Sequence, residues 1–351
     1  GGRGGGRKKR GKGTAYRPEN VRGRERGEWW GREREGRVED SGIEGGGTRR
    51  KGGGVDAAGG RRAGERRPLA LRDPEAVAGD LADLAEAALS AAGAGPEDAL
   101  GVGIGLPGAV SGGEVLYTTN IPMEHVPLAD LFRRRLDLPV LLGNDADCAA
   151  AGEFLRGAGR GFRDFVVLTL GTGLGGGIIL DGRLRGGETS SEAGHLVTHV
   201  GGLPCPCGRR GCWAQYASAT ALIRQTRAAM AEHPESLLCR LAAERGTVDG
   251  RTPFQAAEAG DETALAVCRQ YVEELAEGTA SLINLLRPEA VAFGGGVAGA
   301  PEQLLLEPLR RRVGELCFSR HGGRTTRILR AELGNDAGII GAALLGRVTS
   351  T

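Results

Sequence analysis

Apolar residues recur at helical spacing through DPEAVAGDLADLAEAALSAAG (73–93), which has a proline beside its start, and predict an amphipathic helix there. ALGVGIGLPGAV (99–110) is a short apolar run that ends at Pro107-Gly108 and predicts a buried strand running into a turn. LPVLLGNDADCAAAGEFLRGAG (138–159) predicts strand, turn, then helix. FVVLTLGTGLGGGIILDGRL (165–184) predicts two strands around a glycine loop, then a hairpin turn at Asp181-Gly182. Helical spacing returns at 217–230 and 261–286, a strand ending in glycines at 289–299, and a last helix at 335–346. Strands that alternate with helices predict an α/β architecture. No internal repeat with a period of about 20–50 residues is present.

The first sixty-odd residues follow no such pattern. No Leu, Phe, Met or Cys occurs before Leu69, and the chain opens GGRGGGRKKRGKG. A segment so poor in apolar side chains cannot offset its ordering entropy by burial. Residues 1–41 therefore read as a disordered, basic Gly/Arg-rich tail, with a nucleic-acid-binding arm as the second reading. The next boundaries fall at 42–150 and 151–334, two α/β domains.

Composition changes this picture little. The net charge is +2, which argues against nucleic acid as the partner of the whole molecule. Glycine is 63 of 351 residues, far above the usual share of about 7%, so glycine loops carry weight here. No apolar run is long enough to span a bilayer and no secretory leader is recognisable, so a cytoplasmic location is expected. Seven cysteines, three of them clustered, fit a reducing compartment and one metal site better than a disulfide framework.

That cluster is GHLVTHVGGLPCPCGRRGCW (194–213). His195, Cys205, Cys207 and Cys212 form H-x9-C-x-C-x4-C, and Cys3His is a common tetrahedral set for structural Zn2+. His199 is the second choice for the nitrogen ligand. Gly208 and Gly211 let the short loop fold back around an ion.

Glycine-rich stretches GTGLGGG (171–177), GGG (294–296) and GIEGGGTRRKGGGVDAAG (42–59) accompany predicted strands. Their backbone N–H groups can cradle phosphate, although each alone also fits a tight turn. In GNDAD (143–147), Asp145 suits either acid–base chemistry or the helix N-cap, and Asp147 is the better placed of the two for the cap.

Glu192-x-Gly194-His195 followed by C-x-C-G-x-x-G-C (205–212) resembles the signature of the ROK family of sugar kinases and sugar-responsive repressors. The resemblance covers about residues 42–346. It implies an α/β, actin-like (ribonuclease H-like) two-domain sugar kinase fold with an interdomain cleft, the helix at 335–346 packing back on the first domain. It implies ATP-dependent phosphorylation of a hexose hydroxyl, glucose to glucose 6-phosphate first, with ATP, Mg2+ and structural Zn2+ as cofactors and a homodimer as the assembly. Asp145 would be the base that takes the hydroxyl proton. Asn120, Asn144, Glu192 and His195 would contact the sugar, His195 using one ring nitrogen for zinc and turning the other to the hexose. Glu44, Gly46, Gly47 and Thr48, with Gly171, Thr172, Gly173, Gly175, Gly294 and Gly295, would form the nucleotide site.

Several positions depart from the family pattern. Ala214 stands where a sugar-binding Glu is usual, and losing that charge-assisted hydrogen bond costs about 1.5–3 kcal/mol. Glu44 stands where the phosphate loop usually opens on Asp, and its extra methylene shifts the carboxylate by about 1.5 Å. Gly45, Arg50, Lys51 and Gly54 occupy expected apolar positions, which predicts a poorly made first sheet. Two further readings follow: a sugar-responsive transcription repressor, and a catalytically impaired sugar-binding remnant.

Overall fold

The computed structural model describes residues 38–45, 49–56, 65–68, 73–118, 123–186 and 190–349. The chain begins with the strands β1 (Val38–Gly45), β2 (Arg49–Asp56) and β3 (Glu65–Pro68). Helix α1 (Pro74–Ala91) follows, its first turn capped by Asp73, whose carboxylate accepts from Ala76 N at 2.9 Å. Strand β4 (Gly101–Leu106) leads into the small antiparallel sheet of β5 (Ala109–Ser111), β6 (Glu114–Tyr117) and β7 (Glu124–Val126). Helix α2 (Leu128–Arg133), strand β8 (Val140–Asn144) and helix α3 (Asp145–Arg156) complete this half.

The second half starts with β9 (Phe165–Leu170), β10 (Leu174–Leu180) and β11 (Arg183–Leu184). Five helices follow: α4 (Ala214–Ala217), α5 (Ala219–Glu232), α6 (Leu237–Arg245), α7 (Thr252–Glu258) and α8 (Glu262–Leu286). Then come β12 (Ala290–Gly294), α9 (Leu306–Leu316), β13 (Arg327–Arg330) and α10 (Ala337–Ala343). Asp181 and Gly182 both take positive φ, 53° and 74°, which is the backbone of the predicted hairpin turn.

The two large sheets share one plan. The first runs β3-β2-β1-β4-β8 and the second β11-β10-β9-β12-β13. In each, three consecutive antiparallel strands are extended on one side by two parallel strands. The chain therefore builds one topology twice, although no sequence repeat announces it. Each sheet has its own core: Leu81, Leu84, Leu89, Ile104 and Phe132 bury against the first, and Trp213, Tyr271, Leu275 and Phe293 against the second.

The structure corrects three expectations. Strand β1 starts at Val38, inside the segment read as a tail, and the rest of that segment lies outside the described residues. The first sheet is well paired: Asp40–Glu44 lie in parallel register with Gly101–Gly105 of β4, and β1 pairs β2 along its length. Ile43 and Val55 are fully buried and supply the apolar faces, one toward the α1 core and one toward Ile339 and Ala343 of α10. Finally, no turn separates β8 from α3. The helix starts at Asp145 and its cap is Asn144, not Asp147, because the Asn144 side chain accepts from both Ala146 N and Asp147 N.

Helix α10 returns to lie against α3 and the first sheet at backbone contact distance. A Cβ on Gly341 would stand 1.6 Å from Cys148 O, one on Gly152 2.3 Å from Ala337 O, and one on Gly103 1.7 Å from Ala342 O. No side chain fits there, so these glycines set how closely α10 packs on α3 and on the first sheet. Gly341→Ala is expected to lower the urea midpoint by the equivalent of about 1–3 kcal/mol, the usual scale of overpacking. An unchanged midpoint would show that the α3–α10 contact is looser than described.

Candidate active site and metal centre

The site is built outward from the first turn of α3. Asn144, 8% exposed, holds this turn twice over. Its Oδ1 caps Ala146 N at 2.8 Å and its Nδ2 donates to Gly108 O at 3.1 Å, tying the Pro107-Gly108 turn to the helix start. Gly108 has φ +131° and a Cβ there would stand 2.1 Å from Tyr117 O, so the turn tolerates no other residue. Asp145 is the first residue of the helix, half-buried, where the helix dipole favours a carboxylate. On its far side the helix sits directly on β10. A Cβ on Gly177 would stand 2.4 Å from Ala150 Cβ, and one on Gly175 3.2 Å from Ala146 Cβ.

Gly175 thus belongs to a strand and acts as a close-packing position. The loop proper is Gly171–Gly173. Its carbonyls are taken: Gly171 O by Ala219 N at 2.8 Å, Thr172 O by Thr220 Oγ1 at 2.8 Å, Gly173 O by Gly171 N at 3.0 Å. In a trans peptide the next N–H points opposite to the carbonyl, so the Thr172 and Gly173 N–H groups face away from α5, where an anion could be met. The Gly294-Gly295 turn abuts this loop, because β9 and β12 are parallel neighbours and end together. Gly295 has φ +83° and a Cβ on it would stand 2.6 Å from Leu170 O. Glu44 lies near the end of β1, paired opposite Gly105 of β4 and Lys51 of β2. Gly46, Gly47, Thr48 and Asn120 lie outside the described residues.

A short 3-10 turn (Ala193–His195) packs on β10 from the other side, Gly194 passing so near that a Cβ would stand 2.2 Å from Leu174 O. The charge of Glu192, just before this turn, acts on Asp147 of α3. His195 Nε2 lies 3.8 Å from Glu192 Oε2, while its Nδ1 lies 3.6 Å from Cys205 Sγ. The imidazole therefore faces a carboxylate with one nitrogen and thiols with the other.

Among the described residues, the ligand atoms of His195, Cys205, Cys207 and Cys212 lie within 4.8 Å of one another. A zinc ion with bonds of about 2.3 Å to sulfur and about 2.05 Å to nitrogen needs tetrahedron edges of about 3.8 Å and about 3.6 Å. The Cys207–Cys212 Sγ separation is 3.6 Å and the Cys205 Sγ–His195 Nδ1 separation is 3.6 Å, so the donor set fits. The electrostatics agree. The Arg209 backbone N–H holds Cys207 low, while burial and then the neighbouring thiols push Cys212 up to about 12, so a cation is what would let Cys212 ionise.

The loop is shaped by Gly211, φ +80°, where a Cβ would stand 1.6 Å from His199 O. It is anchored by the buried Trp213, whose Nε1 donates to Glu274 O at 2.8 Å and whose ring fills the space over Gly278. His199 is engaged elsewhere, stacked on Tyr216 with ring centroids 3.9 Å apart and facing Glu274 at 3.4 Å.

Two residues have roles that the sequence reading did not give them. Trp213 gave a signal, an aromatic beside the last cysteine, that spacing alone does not interpret. Asp147 is the other. It is 4% exposed, and burial first, then the charges of Asp145 and Glu192, push its carboxyl up to about 7 despite the helix dipole. Ala214 opens α4 with its Cβ 3.2 Å from where a Cβ on Gly194 would stand, beside His195.

Comparison with known proteins was made against this geometry. The ROK family model matches residues 41–348. A glucokinase of Streptomyces coelicolor is 36% identical over 87% of this chain and 96% of its own length. A xylose repressor of Caldicellulosiruptor bescii is 33% identical over 70% of this chain and 62% of its own length. The crystal structure of a ROK family glucokinase from Streptomyces griseus in complex with glucose and AMPPNP superposes with a TM-score of 0.74 at 36% identity, covering 88% of this chain and 99% of that one.

The raised Asp147 carboxyl has a consequence for stability. The folded chain keeps a proton that the unfolded chain releases above about 3.8, so folding loses stability as pH rises from about 4 to about 7. Asp147→Asn, which cannot ionise, is expected to gain on the wild type across that window, by on the order of 2–4 kcal/mol at pH 7.5 relative to pH 4.5. Urea titrations of both proteins at the two pH values measure this difference, and parallel pH profiles would contradict it.

Proposed function

The chain belongs to the ROK family, and from that premise we propose that it transfers the terminal phosphoryl group of ATP to a hydroxyl of a hexose, glucose first. The actin-like fold, with the same sheet plan in each half, matches the ROK sugar kinases it superposes on. One observation carries the reading: the helix capped by Asn144 opens on Asp145, packs through Ala146 against Gly175 beside the glycine loop, and feels the charge of Glu192 at Asp147.

In this reading the glycine turns receive the triphosphate through the Thr172 and Gly173 N–H groups that face away from α5, and Glu44, Gly46, Gly47 and Thr48 are assigned to the same nucleotide by the family pattern. Glu192, His195 and Asn120 receive the sugar hydroxyls. Asn144 keeps the helix start and the Pro107-Gly108 turn together, so that a sugar held by one is aligned with the other. The attacking hydroxyl gives its proton to an oxygen of Asp145 as its own oxygen bonds to the terminal phosphorus and the bond to the leaving ADP breaks. Mg2+, when bound, neutralises the developing phosphate charge. Zinc would be held by His195, Cys205, Cys207 and Cys212, fixing the imidazole so that Nε2 points at the substrate.

The kinase reading is favoured over a repressor by the similarity itself: 36% identity along 87% of the chain for the glucokinase, against 33% along 70% for the xylose repressor.

A coupled assay of ADP release with glucose tests the proposal. Asp145→Asn is expected to lower kcat by about 10²–10⁴ while leaving glucose binding within a few fold. A variant as fast as the wild type would remove Asp145 from the base role, and no turnover of any hexose by folded, zinc-loaded protein would remove the kinase reading.

Ala214 tests the sugar side. Restoring the carboxylate with Ala214→Glu is expected to lower the KM for glucose about ten-fold or more, since the missing charge-assisted bond is worth about 1.5–3 kcal/mol. An unchanged or higher KM would mean that the site has closed around the alanine.

A further inference from the structure

Residues two apart on a helix point about 200° apart, so Asp147 cannot face the same way as Asp145. Asp147 instead lines a separate cavity of about 410 Å³. This cavity is bounded by β8 of the first sheet and by the residues after β11 of the second, so its walls come from both halves of the chain. Asp145, Glu192 and His195 do not line it.

Its chemistry is simple. Leu142, Leu184 and Leu345 form apolar walls, and Ser111 and Ser190 bring hydroxyls. Among the described residues, Asp147 is the one charged side chain of the lining. Its Oδ1 is buried and meets no hydrogen-bond donor among them. The charges that act on it are Asp145 on its own helix and Glu192 across from it, both negative. A desolvated carboxyl without a donor is costly, and what it lacks is a positive charge or an N–H. The leucine walls leave room for hydrocarbon beside that charge.

We propose that this cavity is a second ligand site, taking a small primary ammonium ion with a short hydrocarbon body, its nitrogen on the Asp147 carboxylate. Such a ligand touches both halves of the molecule at once; of the residues assigned to the phosphoryl-transfer centre, only Asn144 borders the cavity. The inference does not rest on the kinase reading and survives its failure.

The test uses the full chain with its metal retained. n-Butylammonium chloride is titrated while the melting temperature is followed, with potassium chloride at equal ionic strength and 1-butanol at equal concentration as controls. Saturable stabilisation by butylammonium is expected, unchanged by saturating glucose, with neither control reproducing it. Asp147→Asn should weaken the affinity at least ten-fold. Gly186→Ala keeps the charge but places a Cβ 3.2 Å from Asp147 Oδ2, and should also weaken binding. No saturable response, an equal response to potassium or to butanol, competition by glucose, or undiminished affinity in Asp147→Asn would each overturn the site.

Discussion

The first turn of α3 can serve as a chemical site only because two other elements reach it without side chains in the way. Strand β10 lies beneath it on Gly175 and Gly177, and α10 lies beside it on Gly341 against Cys148 O and Gly152 against Ala337 O. Close-packed interiors leave no slack for an added methyl at such points. The high glycine content of the chain is therefore partly structural. It lets a helix sit on a sheet at backbone distance, and it brings the start of that helix level with the glycine turns at the ends of β9 and β12.

A second constraint is charge. Asp145, Asp147 and Glu192 share the region of one helix N-terminus, where burial first and then the charges of Asp145 and Glu192 raise the carboxyl of Asp147 despite the dipole of α3. Nearby, three thiols and an imidazole crowd a single loop. Both clusters call for cations. At the thiols the separations suit one zinc ion, and at Asp147 the proposed ammonium ligand would bring the positive charge. His195 links the two, with one nitrogen toward each.

The departures from the family pattern weigh differently once the fold is known. The weak apolar content of residues 42–59 matters less than the sequence suggests, because β1 is held by parallel pairing to β4, and because Ile43 and Val55 reach separate cores. Ala214 keeps its weight, since it opens α4 with its Cβ against the Gly194–His195 turn.

Much was legible in the sequence. The periodicities at 73–93, 165–184 and 261–286 determine their elements, because burial of an amphipathic face and the demands of an Asp-Gly turn are local. The gathering of His195, Cys205, Cys207 and Cys212 was legible too, since ligand type and spacing constrain a short loop strongly. Tertiary structure alone decided the rest. It made Asn144 the cap and left Asp147 buried, because helix phase relative to the sheet settles which carboxyl meets backbone and which meets a wall. It also revealed the doubled sheet plan, since strand order is set by pairing between distant segments that carry no shared letters.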